Sequence, residues 1–102
     1  MFIAYEKSLA VLRQLAPIVP AIRVHDPDLA KQIVRAANSM PLNLREGQRR
    51  SGKDRIHFYR IAAGSASEVR AGLDAAEAWG WAVRGNVDQL DELLAILWKL
   101  TH

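Results

Sequence analysis

Between Ser51 and Trp79 the chain runs for 28 residues, GKDRIHFYRIAAGSASEVRAGLDAAEAW, with neither a proline nor a strand-like alternation. Read as one helix it would be about 42 Å long at 1.5 Å per residue, too long to stand without neighbours of similar length. Its middle is rich in small side chains, and each interior glycine, Gly64 and Gly72, costs about 1 kcal/mol relative to alanine. Close approach of another helix at these glycines is the expected compensation. Ser51 is the expected N-cap, with Asp54 three residues on as a short variant of the capping box.

The rest of the sequence supplies the neighbours. A first helix is predicted over residues 3 to 23, with Leu9, Leu12, Ala16, Val19 and Ile22 at helical spacing and Pro17 and Pro20 bending or interrupting it. Asp26 is a good N-cap and Pro27 suits the first helical position, so a second helix begins near Pro27. Its apolar stripe is Leu29, Ile33, Ala36, Ala37, Met40 and Leu44, and Pro41 is expected to kink it before Gly47. After the turn GWAVRGN, Asn86 with Gln89 predicts the start of a last helix. That helix carries Val87, Leu90, Leu93, Leu94, Ile96, Leu97, Trp98 and Leu100, an arc wider than one bundle seam requires. Four helices with short connections predict an all-α, up-down-up-down antiparallel four-helix bundle over residues 1 to 102 as a single domain.

Composition narrows the setting. Half of the 102 residues are hydrophobic and a quarter are charged, which suits one core, and there is no cysteine for disulfides or thiolate metal sites. A cytoplasmic location is the expectation. The opening MFIAYEKSLAVLRQLAP has no basic region ahead of its apolar residues and holds Glu6, Lys7 and Arg13 among them, so no secretory signal is expected. No apolar run approaches the length of a membrane span. Charge is polarised along the chain. Residues 45 to 60 hold six cations, Arg45, Arg49, Arg50, Lys53, Arg55 and Arg60, against Glu46 and Asp54, whereas from residue 61 onward three cations face six carboxylates.

The segment AANSMPLNLREGQRRSGKDRIHFYRIAAGSASEV resembles the signature of small bacterial bundle proteins encoded in 23S ribosomal RNA intervening sequences. A related branch is the accessory variability determinant proteins of diversity-generating retroelements. The matching positions are Ser39, Pro41, Asn43, Glu46 and Gly47, then Phe58, Arg60, Ala62, Gly64, Ser65 and Glu68, while Leu42 and Arg45 stand where the family usually has small residues. The resemblance implies an up-down bundle assembling as a homopentamer. In the retroelement branch it implies a basic surface that binds nucleic acid and a reverse transcriptase.

Two readings of the basic segment follow from chemistry. Arg49, Arg50, Lys53 and Arg55 straddle the junction of the second and third helices, where they can grip phosphates without reading bases. They can equally be a solvated helix end, since cations are favoured beside the last carbonyls of a helix. Asn43, Glu46, Ser65 and Glu68 are read as a polar network fixing the register of the same two helices, rather than as acid-base machinery. Asp54 and His57 are the one approach to a metal-binding Glu-x-x-His motif, and it occurs once, so no metal and no cofactor are expected. Tyr5, Phe58, Tyr59, Trp79, Trp81 and Trp98 are assigned to core or subunit contacts ahead of base stacking, with Trp79 and Trp81 plugging the bundle end or meeting a neighbouring subunit. The expected function is a non-catalytic nucleic-acid-binding accessory protein working as a homo-oligomeric ring on RNA or DNA. The alternatives are a scaffold for a reverse transcriptase or ribonucleoprotein, or an enzyme using Glu46 or Glu68 beside a concave pocket.

Overall fold

The computed structural model describes residues 1–81 and 87–102. Among these residues the chain is all-α, with five helices and no strand: α1 (Ile3–Leu15), α2 (Val19–His25), α3 (Pro27–Gln48), α4 (Gly52–Trp79) and α5 (Asp88–Thr101). The predicted first helix is therefore two, separated by a turn at residues 16 to 18. Pro20 supplies no N–H but sits in the first turn of α2, where that donor has no helical partner anyway. The break resets the phase of the buried face. Ala4, Ser8, Val11 and Leu15 are buried in α1, whereas Leu9 and Leu12 are half-buried and Ala16 is exposed, which displaces the predicted stripe by one position. Ser8 tolerates full burial because its hydroxyl donates to the Tyr5 carbonyl at 2.6 Å.

With 28 residues α4 is about 42 Å long at 1.5 Å per residue, which equals the long dimension of the molecule, 42 Å. Its buried residues, Tyr59, Ala62, Ala66, Val69, Leu73 and Ala76, alternate spacings of three and four, so they form one seam. That seam packs chiefly on α3, through Ile33, Ala36, Ala37, Met40 and Leu44, and also on α5. Alanine on both sides lets the two helix backbones come close. The approach is tightest at two glycines: a Cβ on Gly72 would lie 2.6 Å from Ile33 Cγ1, and one on Gly47 would lie 2.5 Å from Tyr59 Cε1. Gly64 does not share this role. It faces open space, with nothing within 4 Å of a Cβ placed there, contrary to the expectation of a helix contact within the chain.

The helix ends differ in how they are closed. Asp26 caps α3 as expected, its Oδ1 accepting from Leu29 N–H at 3.0 Å. Ser51 occupies the cap position of α4 but its side chain makes no capping bond, so the expected capping box does not form. At the other end of α4, Gly80 adopts a left-handed conformation (φ 79°), and Trp81 N–H donates back to the Ala76 carbonyl at 2.9 Å. Asn86 lies outside the described residues. α5 is instead received by a residue far away in sequence: Gln14 of α1 accepts from Gln89 N–H at 3.2 Å and donates to Asp88 Oδ1 at 2.7 Å. Lys7–Glu92 (2.7 Å) and Arg70–Asp91 (2.6 Å) fasten the same helix to α1 and α4. A Gln14→Ala variant is expected to lose about 1 kcal/mol, the worth of a cap, with faster amide exchange confined to the first turn of α5. Unchanged exchange at Gln89 would show the contact to be incidental.

Candidate nucleic-acid interface

The α3–α4 turn sits where the C-terminal carbonyls of α3 concentrate negative partial charge, and the basic residues of the sequence gather around it in two groups. Arg50 and Arg55 are committed to the fold. Arg50 Nε pairs with Glu46 at 2.9 Å and its guanidinium lies 5.2 Å from the Phe58 ring centroid. Arg55 donates from Nε to the Gly47 carbonyl at 3.2 Å and from its second guanidinium nitrogen to the Gln48 carbonyl at 3.3 Å, closing the end of α3. The side chains of Arg49, Lys53 and Arg60 are exposed and make no hydrogen bond or ion pair among the described residues. Arg45 is exposed and stacks over the Tyr5 ring at 4.3 Å, a contact that fixes the stem while leaving the charge uncompensated.

Ser39, Asn43 and Ser65 do come together. Asn43 Nδ2 donates to both the carbonyl and the hydroxyl of Ser39 at 2.9 Å, and Ser65 Oγ donates to Ser39 Oγ at 2.8 Å, bridging α3 to α4 beside the buried Pro41. The two carboxylates lie outside this bridge. Glu46 is taken by Arg50, and Glu68 is exposed, beside a depression of about 240 Å³ between Leu29, Ile33 and Gly72. Gly47 is buried under the Tyr59 ring. Asp54 and His57 are both exposed on the first turns of α4.

The aromatic residues divide as well. Tyr59 is buried, with the Phe2 ring tilted against it at 5.6 Å between centroids, and Phe58 and Tyr5 are half-buried. Trp79 does not plug the end of the molecule, being 70% exposed, whereas Trp81 is half-buried; the two indoles stack at 5.3 Å, with His25 continuing the stack at 5.7 Å. Trp98 is 62% exposed, its ring against His102.

Further cations escape a reading based on the 45 to 60 segment alone. Arg23, Lys31 and Arg35 line an open groove of about 540 Å³ between α2 and α3, with Pro27, Val34 and Asn38. All three are exposed and unpaired among the described residues. Lys31 and Arg35 precede Arg45 and Arg49 by 14 residues each, so the signal that exposes them is helical phase. A count of charge along the sequence misses it.

An all-α chain with a cationic helix turn is the class that these features define. The profile of the 23S rRNA-intervening sequence protein family matches residues 2–102, and the chain belongs to that family. Its fold is similar to a crystal structure of a protein of unknown function from the S23 ribosomal protein family of Bacteroides thetaiotaomicron, with a TM-score of 0.67 and 21% identity over 96% of this chain and 91% of that one. No curated protein matches the sequence. Among the described residues, no helix is long and apolar enough to cross a membrane.

Proposed function

We propose that this chain is a non-catalytic, cytoplasmic nucleic-acid-binding accessory protein that grips phosphate backbones at the α3–α4 turn. In this reading α1 and α2 form one broken arm of an up-down-up-down four-helix bundle, and the bundles assemble into a homo-oligomeric ring, a pentamer by resemblance to the family. The observation that carries the proposal is the set of unpaired, exposed cations, Arg49, Lys53 and Arg60, beside Arg50 and Arg55. A solvated helix end needs only the two arginines that already close α3; the other three have no structural duty within the chain. Repetition around a symmetry axis multiplies their field.

The exposed indoles of Trp79 and Trp98 favour a second reading, a scaffold that joins a reverse transcriptase, as in the retroelement branch that the sequence resembles, or a ribonucleoprotein. Binding of RNA and DNA across a salt series separates the two. Replacing Arg49, Lys53 and Arg60 together with glutamine is expected to weaken binding equally on unrelated sequences and to flatten d log K/d log[salt] by about 0.7 per lost contact on single strands or 0.9 on duplex DNA. Arg55 is left out because it holds the α3 carbonyls. A folded triple variant with unchanged affinity and slope would remove the turn as the contact surface.

A further inference from the structure

We infer that α3 carries a track for double-stranded nucleic acid along its whole solvent face, extending the turn site to residues that the basic segment of the sequence does not include. The inference rests on the nucleic-acid reading above. Its ground is the phase of six exposed residues: Lys31, Arg35, Asn38, Leu42, Arg45 and Arg49 fall within an arc of about 80° at 3.6 residues per turn. This face is opposite the buried stripe of Ile33, Ala37, Met40 and Leu44. No carboxylate lies in the arc. Asp28 and Glu46 both stand just beyond one edge of it, and Glu46 is already paired with Arg50. At the α2 end, Arg23 joins Lys31 and Arg35 around the open groove, so the track widens there.

The arrangement along the axis selects the ligand. The cations come as two pairs, Lys31 with Arg35 and Arg45 with Arg49, whose midpoints are 14 residues or about 21 Å apart on a helix. Between them stand the uncharged Asn38 and the 69% exposed Leu42. A single strand that follows the helix would present phosphates at short, regular intervals and leave several unmatched across the gap. A duplex presents two phosphate rows separated by a groove, and the B-form major groove is about 12 Å wide between its walls. The two pairs stand wider apart than this opening, so α3 lies across the groove with each pair directed onto the backbone that forms one rim rather than into the groove. Asn38 and Leu42 then face the open middle.

The test uses Lys31→Gln/Arg35→Gln, both exposed and without a structural partner, and Arg45→Gln/Arg49→Gln, with matched helicity and mass as controls. Probes are a 20-base-pair DNA duplex, an RNA duplex of the same sequence, the separate strands and polyglutamate. Each double variant is expected to flatten the salt slope on duplex by about 1.8 per bound chain, which corresponds to about 60-fold weaker binding at 0.1 M salt if affinities converge at 1 M. The DNA duplex is expected to bind more tightly than the RNA duplex, whose A-form major groove is deep and narrow, and a preference for the RNA duplex overturns the groove-crossing geometry. Duplex binding that survives Lys31→Gln/Arg35→Gln unchanged overturns the track while leaving the turn site standing. Single strands or polyglutamate bound as tightly as duplex overturn the groove-crossing geometry. No binding of any nucleic acid by the native chain overturns both proposals.

Discussion

A Gly47→Leu variant is expected to melt roughly 12 to 24 °C below the native chain, the equivalent of about 3 kcal/mol in a domain of this size. The side chain has nowhere to go. Its first carbon alone would stand 2.5 and 2.7 Å from two atoms of the Tyr59 ring and 3.3 Å from Phe58 Cβ. Tyr59 is itself buried with Phe2 tilted against its ring, so the ring cannot swing out without opening the α3–α4 seam. Gly64→Ala is the matched control: the position is exposed and empty, and the variant is expected to gain about 1 kcal/mol from helix propensity alone. Thermal unfolding followed by circular dichroism reads both. Equal melting temperatures for Gly47→Leu and the native chain would mean that α3 and α4 meet less closely than described.

The second large effect is expected in α5. Leu93→Ala removes a side chain with no exposure from a helix of only 14 residues, a length that is marginal on its own in water. A loss of about 2 to 5 kcal/mol is expected, read as a lower urea midpoint at unchanged slope. Trp98→Ala, on the same helix but 62% exposed, is expected to shift the midpoint of the isolated chain by no more than about 0.5 kcal/mol. If subunits meet through this face, Trp98→Ala lowers the assembled mass while sparing the fold. A midpoint for Leu93→Ala equal to that of Trp98→Ala would contradict the burial of Leu93.

Helix type and position were largely legible in the sequence because the signals are local. Asp26 and Pro27 mark the start of α3, and the apolar phase of Ile33 to Leu44 marks its buried side. What failed depended on distance. Gln14 closes α5 across 75 residues, which no window of neighbouring sequence contains. Gly64 and Gly72 look alike in sequence, and only the position of Ile33 distinguishes the crowded one from the open one. Ser51 has the right residue type but makes no cap. At the candidate interface, the segment from Arg45 to Arg60 stood out through density of charge. Lys31 and Arg35 did not, because they lie in a sequence of mixed composition and join the others only once the helix is wound.

The ties between α1 and α5 also set a timetable for synthesis. Gln14 leaves the ribosome 75 residues before Gln89, an interval of about 4 to 15 seconds at ordinary elongation rates. Throughout it, the side of α1 that will hold α5 has no α5 to hold. α3 is made much sooner and also touches α1, so it offers that helix a first resting place. The α3–α4 hairpin, whose contacts are close in sequence, has time to form while α1 waits. The last helix then enters between two elements already in place, and its arrival is the step that takes Leu90, Leu93 and Leu97 out of water against α1 and α4.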